Sequence, residues 1–177
     1  MGKIIVYQIG RLDINAFERL KFEINGSVVE NSLSSFALKE TLSKEGYKTE
    51  VILLYPISLP FNPSLINDRF KLSCSASCYE KLKSALNNPE NYLKNPLEFF
   101  QDHPHTQESA DFEILHSLGE YKTLSRPVEF KCHYQDIVLM ILTDMIKRYL
   151  TGENEIKKIF IDISSGHNIK GMSIIKI

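Results

Sequence analysis

The chain opens with KIIVYQIG, a short run apolar on both faces that ends in glycine. A run without alternation predicts the central strand of a parallel sheet covered on both sides. In FERLKFEINGSVVENS, Asn25-Gly26 lies between two alternating stretches, the pattern of a β-hairpin. SLSSFALKETLSKEGYK then changes to a helical period, with Leu33, Phe36, Ala37, Leu38 and Leu42 forming the apolar stripe and Gly46 the C-terminal cap. TEVILLYP, Thr49 to Pro56, predicts a second buried strand. Strand, hairpin, helix and strand together make an α/β opening.

From about Pro56 to Pro127 the pattern is less regular, and prolines crowd the stretch up to Pro104. CYEKLKSALNNP predicts one short helix stopping before Pro89, and FEILHSLGEYK a strand near Phe112 to Leu118. His103-Pro104-His105 reads as a solvated loop. Order returns in YQDIVLMILTDMIKRYLTGENE, where Ile137, Met140, Ile141, Met145, Ile146 and Leu150 give a wide apolar stripe and Gly152 ends the helix. The methionines are core filling in this reading. KKIFIDIS follows as a strand, and HNIKGMSIIKI begins as a helix. The fold class expected is therefore α/β and Rossmann-like: a mostly parallel sheet flanked by helices, with a β-hairpin after the first strand. The 177 residues suit one domain, and the short final helix predicts a domain truncated at its C-terminus.

Composition narrows the function. Content of 43% hydrophobic and 24% charged residues is that of a soluble globular protein. With 21 Lys plus Arg against 22 Asp plus Glu, a large non-specific nucleic-acid surface is excluded, while a small pocket for a phosphate-bearing ligand is not. No signal peptide and no stretch approaching ~20 apolar residues is visible, so a cytoplasmic location is expected. No cofactor or metal is expected. Asp162 has no second carboxylate near it in sequence, and Cys74-x3-Cys78 with Cys132-His133 is a poor zinc signature, better read as free thiols or an incidental disulfide.

The chemistry concentrates in IFIDISSGHNIKG, Ile159 to Gly171, where an apolar strand stops at a carboxylate and small hydrogen-bonding residues follow. Ligands of open α/β sheets bind beyond the carboxyl ends of strands. Two segments qualify: Gly10-Arg11-Leu12-Asp13 after the first strand, and Ser164 to Lys170 after the last. Small residues allow close backbone approach, and helix N-terminal amides, serine hydroxyls and the Asn168 amide supply hydrogen bonds to an anion. The plainer reading is that Ser164 or Ser165 caps the last helix and Asp162 satisfies backbone amides.

These residues carry a resemblance. Asp162-x-Ser164-Ser165-Gly166-His167-Asn168 resembles the Asp-x-Thr-His-Gly region of CRISPR-associated Rossmann-fold (CARF) domains, specifically those of type III CRISPR accessory ribonucleases. FEINGSVVENSLSSFALKETL resembles that family's Asn-Gly hairpin and following helix start. The likeness covers the first ~55 and the last ~25 residues, where a Rossmann-like domain needs them. It departs at the family's Thr-His pair, which is Ser164-Ser165 here, with a histidine after the glycine instead, as His167. The resemblance implies a homodimeric sensor that binds cyclic oligoadenylate, the tetra-adenylate ring in particular, across a two-fold axis. Carried over by position, Gly10, Arg11, Ser32, Ser164, Ser165, Gly166, His167, Asn168 and Lys170 would contact the ligand. Arg11 and Lys170 would neutralise phosphates, and Asp162 would brace the turn structurally.

Members of that family carry a ribonuclease domain with an Arg-x4-6-His pair. Arg126 and His133 have a permitted spacing, but Pro127 and the strand-like VEFKCH are wrong for its helix, so the resemblance implies a sensor without its catalytic half. Two alternatives stay open. One is a ring nuclease in which a positioned ribose 2′-hydroxyl attacks the phosphorus, with Ser165, His167 and Lys170 serving the reaction and His167 as acid or base. The other is a dimerisation or interaction module with no small ligand.

Overall fold

The computed structural model describes residues 2–13, 16–108, 111–151 and 156–162. Four parallel strands form the main sheet: β1 (Lys3–Ile9), β4 (Lys48–Pro56), β5 (Asp111–Leu115) and β8 (Ile156–Asp162), in the order β5-β4-β1-β8. The unbroken apolar run of β1 is explained by what covers it. Ile4 and Val6 face one core cluster, and Ile5 and Tyr7 face the other, none more than 1% exposed. In β4, Val51, Leu53 and Tyr55 join the first cluster, and Ile52 and Leu54 the second. Period-two alternation places these residues on opposite faces, and each face is covered. The sheet is the Rossmann-like α/β arrangement that the pattern predicts.

Between β1 and β4 lie the hairpin β2 (Leu20–Ile24) and β3 (Ser27–Asn31), and then helix α1 (Ser34–Lys44). Asn25 (φ 51) and Gly26 (φ 77) both take the left-handed conformation, as a two-residue type I′ turn requires. Helix α1 covers the first core through Leu33, Phe36 and Leu42. It ends in a Schellman motif: Tyr47 N–H donates to Leu42 (3.0 Å) and Gly46 N–H to Ser43 (3.1 Å), with Gly46 at φ 85.

The irregular middle is a run of short helices where the sequence suggests one. These are α2 (Asp68–Ser73), α3 (Ala76–Asn87), α4 (Pro89–Lys94), α5 (Leu97–Gln101) and α6 (Pro104–Glu108). Side-chain caps start the first three, from Asn67, Ser75 and Asn88. Most are too short to show a periodicity, which is why pattern alone does not find them. They bury Phe70, Leu82, Leu86, Tyr92, Phe99 and Phe100 under the α1 face of the sheet. Cys74, Cys78 and Cys132 are free thiols. Burial pushes the Cys78 thiol up to about 12, so it is unreactive at neutral pH.

After β5 come the short hairpin β6 (Gly119–Tyr121) and β7 (Val128–Phe130), and then helix α7 (Tyr134–Thr151) on the second face. Ile137, Met140, Ile141 and Met145 pack on that core as expected. Ile146 and Leu150 do not: they are exposed, together with Leu139, Leu142 and Tyr149. A helix of this length has more apolar surface than one sheet face can cover. No helix among the described residues is long and apolar enough to cross a membrane.

Candidate functional site

The strand order puts β8 beside β1 and on the opposite side of it from β4, so the sheet changes winding direction between β1 and β8. Such a switch point leaves a crevice at the carboxyl ends of the two strands. Here Gln8 pairs with Asp162 across the sheet. The carboxyl end of β1, which leads into Gly10, therefore lies beside the carboxyl end of β8 at Asp162.

Three side chains close the floor of this edge. The Gln8 side-chain oxygen accepts from the Ser35 N–H (3.0 Å), meeting one of the orphan donors in the first turn of α1. Its amide nitrogen donates to Ser34 Oγ (3.1 Å), and Ser34 Oγ donates to the Asp162 carboxylate. The N-cap residue of α1, Leu33, has no capping side chain, so Gln8 does that work from the neighbouring strand. Asp162 thus binds the Ser34 hydroxyl. Neither Gln8 nor Ser34 stands out in the sequence. The one available signal is Gln8 itself, a polar residue in a strand otherwise apolar up to its end.

We expect Ser34→Ala to lower the unfolding free energy by about 1–2 kcal/mol, because it removes the acceptor of the Gln8 amide and one donor to Asp162. Asp162→Asn keeps an acceptor at that place and should cost less. Denaturant unfolding of both variants measures the difference, and equal losses would contradict this account.

The other predicted residues are less open than the motif suggests. Gly10 donates its N–H to Leu54 (2.8 Å), and a Cβ at Gly10 would lie 2.1 Å from Tyr55 Cε1. The glycine is thus required by the ring of Tyr55, whatever else approaches it. Arg11 is not a free cation: its guanidinium forks onto the Asp13 carboxylate at 3.0–3.3 Å, with its side chain only 10% exposed. Ser32 is buried, and its hydroxyl donates to Glu108 (3.3 Å). Ser164, Ser165, Gly166, His167, Asn168 and Lys170 lie outside the described residues.

Above Gly10 and Arg11 sits a buried aromatic cluster. His103 and His105, expected in a solvated loop, are 0% and 1% exposed. They contact Phe17 at ring distances of 5.6 and 5.2 Å, and His103 lies 5.0 Å from Tyr55. Burial, reinforced by His105, holds His103 at about 3; burial holds His105 at about 4, so both rings are neutral. Sequence could not foretell this, because the walls of the cluster come from distant parts of the chain. Arg126 pairs with Glu90.

The family model for the CARF domain of the CRISPR system endoribonuclease Csx1 matches residues 4–177. No curated protein matches the sequence. The match spans the middle segment as well as both ends that carry the motif likeness. The chain belongs to the Csx1-type CARF domain family, a family of ligand-sensing domains of type III CRISPR systems.

Proposed function

We propose that this domain senses cyclic oligoadenylate, with the tetra-adenylate ring as ligand, bound across a homodimer. The reading rests on one observation above the rest. Gln8 of β1 pairs with Asp162 of β8, so the two strand ends that precede the segments expected to hold the ligand lie side by side at the switch point. Family membership supports the ligand class, since CARF domains of type III systems bind cyclic oligoadenylate.

The charge distribution refines the roles. Because Arg11 is engaged by Asp13, the β1 loop offers a ring phosphate mainly backbone N–H groups. The cation is then Lys170, with Ser164, Ser165, Gly166, His167 and Asn168 in closer contact. For the dimer, α7 offers Leu139, Leu142, Ile146, Tyr149 and Leu150, all 45–75% exposed and spaced as one stripe. A second copy covering that stripe would bury apolar surface that a monomer leaves in water.

Calorimetric titration with cyclic tetra-adenylate, followed by chromatography of the mixture, tests the reading. One intact ring per two chains is the expected result, and Lys170→Ala should bind about tenfold more weakly. Recovery of linear adenylates would replace sensing by ring cleavage through Ser165, His167 and Lys170. No binding would overturn the ligand.

A further inference from the structure

The middle segment touches Arg11 and Ser32, two of the described residues that the resemblance assigns to the ligand, and bonds to the tyrosine that packs on a third, Gly10. His103 Nε2 lies 3.0 Å from the Arg11 carbonyl. A carbonyl only accepts, so Nε2 carries the proton and Nδ1 is the acceptor. Nδ1 then accepts from the Tyr55 hydroxyl (3.1 Å), with the His105 N–H at 3.3 Å as a second, longer donor. The Tyr55 oxygen in turn accepts from Thr106 Oγ1 (3.0 Å). One tautomer of His103 satisfies the whole relay.

The same Tyr55 ring lies against Gly10 where a Cβ would stand. It is held from its other side by Phe100, stacked at 4.7 Å and 15°. Two residues further along α6 from Thr106, Glu108 accepts from Ser32. Gly10, Arg11 and Ser32 are therefore contacted by Tyr55, His103 and Glu108 respectively. His103 and Glu108 come from the segment that separates β4 from β5, and Thr106 of the same segment fixes Tyr55.

We infer that His103 is a positioning residue: through the Arg11 carbonyl it sets the Gly10–Asp13 loop in the conformation that binds the ring. The ligand half of this statement rests on the proposed function, and the loop half does not. The relay is built for one geometry. The imidazole is buried, its donor is used by the loop, and its acceptor is used by a tyrosine that also defines where Gly10 runs. Movement of the loop away from His103 would unpair a buried N–H and a backbone carbonyl together.

The test compares wild type, His103→Gln, His103→Leu and Tyr55→Phe at a temperature where melts show each folded. Two readouts are taken: affinity for cyclic tetra-adenylate, and the backbone amide signals of residues 10–13. Glutamine keeps a donor at the reach of Nε2, so His103→Gln should bind within about threefold of wild type, whereas His103→Leu should lose about tenfold or more. In the leucine variant the amide signals of Gly10–Asp13 should move while those of α7 stay. If His103→Leu does not fold, Tyr55→Phe decides, through the same signals and a smaller loss. Wild-type affinity with unmoved loop signals in either folded variant overturns the inference. If wild type itself does not bind the ring, the functional reading falls, and the loop signals still decide whether His103 holds the loop.

Discussion

Arg148→Met should cost about 3 kcal/mol or more at neutral pH, and the loss relative to wild type should shrink as the pH falls. The Arg148 guanidinium is a hub for four carboxylates: Asp144 on its own helix (2.7 Å), Asp111 (2.6 Å) and Glu113 (3.8 Å) on β5, and Glu50 (3.4 Å) on β4. Asp144, which is buried, also accepts from Tyr7 OH (2.8 Å) in the heart of β1. Burial pushes the Tyr7 hydroxyl upward, and the bond to Asp144 pushes it further, so the phenol stays protonated and donates. For Arg148, burial alone would favour losing the proton, and the bonds to Asp144 and Asp111 more than reverse that. The Asp111 and Glu113 side chains are 45% and 44% exposed, so water screens their share, and the figure leans on Asp144 and Glu50.

Methionine fills the space of the side chain and removes only the charge. The carboxylates it leaves behind repel one another. Glu113 already has a raised value through burial and its nearness to Asp144, and Arg148 is what holds it down, so losing the cation raises it further. Carboxylates whose folded values lie above their unfolded ones take up protons on folding at low pH. Their penalty therefore declines as pH falls. Denaturant unfolding at pH 7.5 and pH 5.5 measures this, each variant against wild type at the same pH. A loss under 1 kcal/mol at both would show that the hub contributes little.

The second large effect has the opposite pH sense. His103 and His105 are held at about 3 and about 4 against an ordinary 6.5. A histidine lowered on folding stabilises the fold fully above its unfolded value. That contribution drains away as pH drops from 6.5 towards the folded value. By pH 5 the linkage amounts to about 2 kcal/mol for each imidazole. His105 is the cleaner probe, because neither of its ring nitrogens meets a partner at hydrogen-bond geometry among the described residues, although the Ala16 backbone is near enough to act on the ring. Its ring lies edge-on to Phe17 (5.2 Å) and Phe36 (6.1 Å), with His103 beside it and the charges of Arg11 and Asp13 near enough to act on it. His105→Phe should leave stability at pH 7.5 within about 1 kcal/mol and raise it by about 2 kcal/mol relative to wild type at pH 5. Thermal melts across that range give the answer. Parallel pH profiles for the two proteins would mean that His105 does not titrate on unfolding as its burial requires.

The candidate site was legible as a pair of segments and little more. Gly10 follows the end of β1 and Asp162 ends β8, and strand ends can be read from where an apolar run stops. What holds them could not be read. Ser34 reaches Asp162 across 128 positions, and His103 reaches Arg11 across 92. No spacing rule covers such distances. For the same reason His103-Pro104-His105, polar and proline-centred, looks solvated until Phe17, Phe36 and Tyr55 are brought around it.

The sequence alone determined the elements whose partners lie within a few residues. The apolar runs of β1 and β4, the Asn25-Gly26 turn with both residues at positive φ, the stripe of α1 and its cap at Gly46 are all written in local periods of two and 3.6. Together with the motif after Asp162, they were enough for the fold class and the family. Only the tertiary structure decided that Arg11 is engaged by Asp13, that Ile146 and Leu150 of the α7 stripe face outward, and that two histidines are core. Each of those outcomes depends on which distant surfaces meet. Burial and electrostatic partnership belong to the assembled sheet and helices, and they have no period along the chain.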